Sequence, residues 1–253
     1  MIGAERCLSI ERFAACAAAA GVGSWPAVLG INPSELVDND CLAAQLVVSG
    51  GDTAEAIAEQ PLSAILGIIE RARLRFDIRT VSDNPTRACV AIAESVAVQV
   101  VRCGPVVTVR RLNRIGDAAA MTICELLGDA PTAELRPVSV PVADIGGLLG
   151  TAISATECVD ALHACGIRGR DAVTIGTALH GWTALAEVVA VRSIDRTVIS
   201  PAAAVILDTR AGRIVASPSR SPGGIVWTTL APGTRQRIGQ ALSSLVDTLD
   251  GAP

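Results

Sequence analysis

From Ser9 onward, Ile10, Phe13, Ala14 and Ala17 recur at the three-to-four spacing of one helix face, with Ser9 placed to cap it and Gly21 and Gly23 to stop it. Trp25-Pro26 then turns the chain. Ser34 opens a second helical pattern, with Leu36, Val37, Leu42 and Leu46 as its apolar set and Gly50-Gly51 as its close. Residues 53–59 and 61–72 read as one broken or two short helices, with Pro61 in a first-turn position. At Arg73 the period changes to two: Leu74, Phe76 and Ile78 alternate with Arg73, Arg75, Asp77 and Arg79, which predicts a strand over 73–81 with one wet face. After the Ser82-Asp83-Asn84-Pro85 turn come β-branched runs over 86–93, 96–103 and 106–112, separated only by Glu94-Ser95 and Gly104-Pro105. Connections that short imply an antiparallel meander. Asp117 caps a helix running to Leu127, with Met121, Cys124 and Leu127 on a shared face, and Gly128 to Pro131 ends it.

The second half follows a similar order. Residues 135–142 are extended, and Gly146-Gly147 with Gly150 loosen the connection. Helical patterns cover 154–165 and 170–184, and strands cover 186–194, 201–208, 213–218 and 224–230. A last helix over 234–249 carries Ile238, Ala241, Leu242, Leu245 and Leu249 as an apolar stripe. The order of helices, four clustered strands and a helix therefore occurs twice. This predicts an α+β protein of quasi-two-fold design, with halves at 1–133 and 134–253 forming one compact domain. The meanders would meet in a central antiparallel sheet flanked by helical bundles. A parallel doubly wound fold would need helices between its strands, and here the strands are clustered.

Composition narrows the function. Half of the 253 residues are apolar, enough for a sizeable core. The longest apolar runs, near 14–22 and 96–101, fall short of the ~20 residues that span a bilayer as a helix. Glu5, Arg6, Glu11 and Arg12 break the pattern of a secretory signal, which leaves a cytoplasmic protein without membrane insertion as the expectation. The net charge is −4 and the arginines are scattered, which argues against nucleic acid. Every basic residue is Arg, with no Lys and no Tyr, a bias of high-GC coding. The eight cysteines, Cys7, Cys16, Cys41, Cys89, Cys103, Cys124, Cys158 and Cys165, stand at irregular spacing among Ala, Val and Leu, so they read as reduced, buried core residues.

Catalytic chemistry needs converging polar groups, and few are available. His163 lies between Cys158 and Cys165, but on one helix these point in different directions, and no second pair stands at a zinc spacing. His180, before Gly181-Trp182, has no serine or acid placed to partner it. A chain without lysine holds no phosphate-binding loop ending in Gly-Lys-Ser/Thr, and neither Gly21-Val22-Gly23 nor the 166–169 glycines link a strand to a helix as dinucleotide loops do. Asp38 with Asp40, and Asp247 with Asp250, sit on solvated faces or helix ends. No catalytic residue, metal or cofactor is expected. The remaining polar feature is a set of arginines on the first meander, Arg73, Arg75, Arg79, Arg102, Arg110 and Arg111: a solvated sheet face, or a recognition surface in which Arg supplies planar donors.

The block from Ala216 to Leu242, with Trp227 on an extended segment and Pro232-Gly233-Thr234 opening a helix that continues through Arg237-Ile238, resembles the end of the EspG family of ESX secretion-associated proteins. Residues 25–29, the meander from Arg87 to Leu112, and Val138 to Pro141 with Asp144 match that family in layout. The resemblance implies a cytosolic chaperone of mycobacterial type VII secretion, without enzymatic activity or cofactor. It would bind the hydrophobic tip of the PPE subunit of a PE and PPE heterodimer through the central sheet, a strand-connecting loop and the C-terminal bundle. Apart from that resemblance, a weak homodimer is the other partner considered, and the sequence leaves the oligomeric state of the free protein open. The Glu94-Ser95 connection corresponds by order to the family's second-to-third strand loop and is shorter here. Trp227 and Thr234 read as structural: Trp227 packs the last helix on the sheet, and Thr234 caps that helix. The protein-binding candidates are Arg87, Glu94, Arg102 and Arg110 on the first sheet and His163 and Trp182 in the second bundle. The competing reading is a small-molecule enzyme or sensor with a pocket between the halves.

Overall fold

The computed structural model describes residues 5–22, 26–31, 62–112, 116–144 and 153–251. The helices expected over 34–46 and 53–59, Trp25, Cys41 and the glycines at 146–150 lie outside the described residues. The fold is α+β, and the chain divides into two compact units, Met1–Asp77 with Pro85–Ala118, and Ile78–Asn84 with Ala119–Pro253.

In the first unit, β1 (Arg6–Ser9) runs straight into α1 (Ile10–Ala19). Ser9 Oγ accepts the Arg12 amide at 3.2 Å, one of the four orphan donors of a helix start. A 3-10 turn, Ala27–Leu29, and α2 (Leu62–Arg71) precede the meander of β2 (Leu74–Val81), β3 (Thr86–Ala93), β4 (Val96–Cys103) and β5 (Val106–Leu112). The two-residue connections expected at Glu94-Ser95 and Gly104-Pro105 are present. β1 was not foreseen; it pairs antiparallel with β5, so the strand order is β1-β5-β4-β3-β2. One face of this sheet, with Cys89, Ala91, Val98, Val100, Val107 and Val109, packs on Phe13, Ala14 and Ala17 of α1 and on Ile65, Leu66, Ile68 and Ile69 of α2. Of the face expected on α1, Phe13, Ala14 and Ala17 are buried and Ile10 is half-buried.

After α3 (Ala118–Leu127), the second unit begins a similar order. β6 (Val138–Pro141) leads to α4 (Ala155–Ala164) and α5 (Gly169–His180). Next come β7 (Trp182–Ser193), β8 (Thr197–Ile199), β9 (Ala204–Thr209), β10 (Gly212–Arg220) and β11 (Val226–Pro232), and then α6 (Arg235–Asp247). From the second half of β2 the strands run β2-β7-β9-β10-β11-β6, with β8 beside β7. β6 closes on the last meander strand, as β1 does in the first unit. Ser154 and Glu157 form a complete capping box on α4, and Thr234 caps α6 by accepting the Arg237 amide at 3.2 Å. One sheet face carries Ile214, Ala216, Leu230 and Val140 against Leu162 of α4 and Ala172, Ile175 and Ala178 of α5. α6 packs on β10 with Ile238, Ala241, Leu242 and Leu245 buried.

Two expectations need correction. The helix expected over 170–184 ends at His180, because Gly181 caps it, and the chain then continues as strand from Trp182. The seven described cysteines are free thiols, but only Cys89 and Cys158 are buried; Cys7 and Cys103 are exposed and the other three are half-buried. An apolar sequence neighbourhood does not tell which face of an element a thiol occupies.

The C-terminal corner is held by Arg213, whose side chain is 6% exposed. Its Nε and Nη2 donate to the two Asp208 carboxylate oxygens at 2.6 and 2.8 Å, and Nη2 also donates to the Gly128 carbonyl at 2.8 Å. The Asp208 hydrogen bonds raise the Arg213 pKa above its already high ordinary value, so the guanidinium stays charged. The Arg213 carbonyl accepts the amides of Ala133 at 3.1 Å and Gly233 at 2.8 Å. A Cβ at Gly233 would lie 2.8 Å from the Arg213 carbonyl carbon and oxygen, which is why the residue before the Thr234 cap has no side chain. Replacing Arg213 with Ala strands a buried carboxylate. The expected loss is about 3–5 kcal/mol of unfolding free energy, checked by urea denaturation at neutral pH.

Candidate protein-binding surface

Among the first-sheet candidates, Arg87 and Arg102 face each other across β3 and β4. Arg102 Nη1 donates to the Leu29 and Gly30 carbonyls at 2.7 and 2.6 Å, and its Nε donates to the Gly104 carbonyl at 3.2 Å. Arg87 Nη1 reaches the Val28 carbonyl at 3.4 Å. Both guanidiniums crowd Gly30, which turns the chain with φ 58°. Arg102 is half-buried and Arg87 is exposed.

The other two lie elsewhere. Glu94 is exposed at the opposite end of the β3–β4 hairpin, with φ 50°, a left-handed value that a non-glycine residue seldom takes. Arg110 is 9% exposed and stands opposite Gln99, inside the unit rather than on its surface. The four therefore do not form one patch: only Arg87 and Arg102 come together.

The alternating face of β2 is not a row of solvated arginines. Arg75 donates Nε and Nη2 to Asp77 at 2.8 and 3.3 Å, and Asp77 is 8% exposed. Burial raises the Asp77 pKa against the lowering pull of Arg75 and of a hydrogen bond from Cys89. Burial also pushes the Cys89 thiol well above its ordinary value, so it is not a reactive nucleophile. Arg79 makes a solvent-facing pair with Glu187 at 3.7 Å. Period-two alternation identified the face but not what covers it.

In the second unit, α4 and α5 form an antiparallel hairpin in which Gly176 lets the helices touch: a Cβ there would lie 2.8 Å from the Val159 amide nitrogen. His163 is exposed in the last turn of α4, at the loop end. Trp182, 42% exposed, follows the far end of α5, about 18 Å away along a helix of 12 residues. It opens β7 opposite Thr209, where the register slips before Ala184. His163 and Trp182 are thus not neighbours. Ile153 precedes α4 at the same end of the hairpin as Trp182 and is 83% exposed. Sequence reasoning missed it, although a signal existed: an apolar residue before the Ser154 cap usually staples to the fourth helical position. That position, Cys158, is buried without it. Ile153 and Trp182 are thus two exposed apolar side chains that the hairpin topology places toward the same end of α4 and α5.

Trp227, of the C-terminal block, is half-buried on β11 between Ser219 of β10 and Pro141 of β6. Among the described residues no group of three or more His, Cys, Asp or Glu side chains could hold a metal ion, and no helix is long and apolar enough to cross a membrane.

The sequence model of the EspG family matches residues 9–244. The chain belongs to the EspG family. No curated protein sequence matches it. Among solved structures, it is similar to EspG5, the Mycobacterium tuberculosis type VII secretion system chaperone determined in complex with a PE25-PPE41 dimer. The TM-score is 0.78 at 18% identity, covering 99% of this chain and 98% of that one. A putative adenylate cyclase from Bacillus halodurans, at 11% identity with 99% and 91% coverage, has a TM-score of 0.15 and carries no argument.

Asp77 makes the first unit pH-sensitive in a stated direction. Its folded pKa lies above its unfolded value, so its contribution to stability is full below the unfolded value and is lost as pH rises through the folded one. Wild type is expected to gain stability relative to Asp77→Asn on going from pH 7 to pH 4, as read from urea midpoints of both proteins.

Proposed function

We propose that this EspG-family protein is a cytoplasmic chaperone of type VII secretion that binds the hydrophobic tip of a PPE protein in a PE and PPE heterodimer. It keeps that tip soluble until export. The observation that carries the reading is the family match over nearly the whole chain. The similarity to EspG5, described with a PE25-PPE41 dimer, supports the partner class. The exposed Trp182 and Ile153 suit an apolar client tip, since an exposed aromatic is a usual anchor at a protein interface. The activity is binding, not catalysis, and no cofactor takes part.

The test is co-expression with the PE and PPE pairs encoded in the same genome, followed by co-purification. A stable 1:1:1 complex with at least one pair is expected, and its absence with every pair refutes the proposal. Given that complex, Trp182→Ala is expected to weaken it at least tenfold, about 1.4 kcal/mol, by titration calorimetry with unchanged melting of the free chaperone.

A further inference from the structure

The Arg87–Arg102 pair is the one place among the described residues of the first unit where two sequence-selected candidates meet, and its charge is unbalanced. Like charges directly opposite on neighbouring strands repel. Among the described residues the repulsion is met by the carbonyls of Val28, Leu29, Gly30 and Gly104. No carboxylate of the described residues lies in ion-pair contact with either arginine. Arg102 spends Nε and Nη1 on those carbonyls and keeps Nη2. Among the described residues Arg87 gives one long bond of 3.4 Å from Nη1, and its side chain is exposed.

The carbonyl bonds of Arg102 fix its planar fork in place before any ligand arrives. A preorganised guanidinium loses less entropy per new hydrogen bond; with Nε and Nη1 of Arg102 already spent, its Nη2 can donate to one oxygen of a carboxylate, and the other oxygen falls to Arg87. The second guanidinium beside it adds both charge and donors.

We propose that Arg87 and Arg102 form a subsite for a carboxylate of the bound protein, an Asp or Glu side chain seated across the two guanidiniums beside Gly30. This rests on the chaperone reading above and adds the chemistry of one contact to it. The acid sets orientation and partner choice, because an unmatched client leaves two like charges facing each other.

The experiment measures affinity of the co-purified PE–PPE heterodimer for wild type, Arg87→Gln and Arg87→Lys at 50 and 500 mM NaCl, with thermal melts of each free chaperone. Arg87 is exposed and makes only one long bond, so both variants are expected to melt as wild type does. The subsite predicts a tenfold or greater loss for Arg87→Gln at low salt that shrinks at high salt, and partial retention for Arg87→Lys. Acidic-to-amide scanning of the PPE tip should then find one position whose substitution costs wild type the same factor and costs Arg87→Gln little more. Unchanged affinity and salt dependence for Arg87→Gln overturn the subsite while leaving the chaperone reading intact. Additive losses at every acidic position also overturn it. Failure of wild type to bind any heterodimer overturns both.

Discussion

Burying a guanidinium is unfavourable by several kcal/mol unless its donors are matched, and Arg213 meets that requirement in a way that organises the whole C-terminal corner. Its side chain closes on Asp208 across the β9–β10 hairpin and reaches the end of α3 at Gly128, while its backbone joins the 131–133 segment and the turn before α6. Three stretches that lack mutual strand pairing are thereby held to one residue. The hydrophobic stripe of α6 explains why that helix lies on the sheet, but a stripe permits sliding and rotation. The Arg213 carbonyl to Gly233 bond, followed by the Thr234 cap, sets where the helix starts and so which turn of the stripe meets β10.

The first unit uses the same chemistry with less burial. Arg102 binds the carbonyls that end the Ala27–Leu29 turn, so a segment too short to be stable as helix is pinned to the sheet by charge-assisted bonds. The chain has no lysine, and a compact ammonium could not serve two carbonyls and a third from separate atoms of a rigid fork. In both units, then, arginine fixes irregular backbone against regular structure. Along the first meander, Arg75 is tied to Asp77 and Arg102 to the Leu29, Gly30 and Gly104 carbonyls.

That distinction marks how far the sequence was legible. The strands β3, β4 and β5 were readable to the residue, because β-branched runs and two-residue turns leave little freedom in where a hairpin begins and ends. The four-residue strands β1 and β6 were not, since so short a segment shows no period and owes its form to the partner strand β5 or β11. Trp182 was assigned to a helix because its apolar neighbours fit either period, and the decision lay in Gly181. Alternation marks Arg75 and Arg110 as solvated or contact residues because it reports a face, whereas burial depends on elements distant in sequence. Ile153 was passed over because its place before a capping box predicts packing, and tertiary structure left it open.

The residues that identify the family and the residues suited to bind a client answer to different constraints. Gly233 cannot gain a side chain without striking the Arg213 backbone, and Thr234 loses a cap bond if changed. These penalties are internal to the fold and independent of any partner. Exposed Arg87 and Ile153 carry little of the folding free energy, so substitution there is cheap for stability. The fold itself is held in common with EspG5 at 18% identity. The constraints on Gly233 and Thr234 tie the C-terminal block to the fold, so under the proposed function a client would be recognised by side chains that the fold itself does not need.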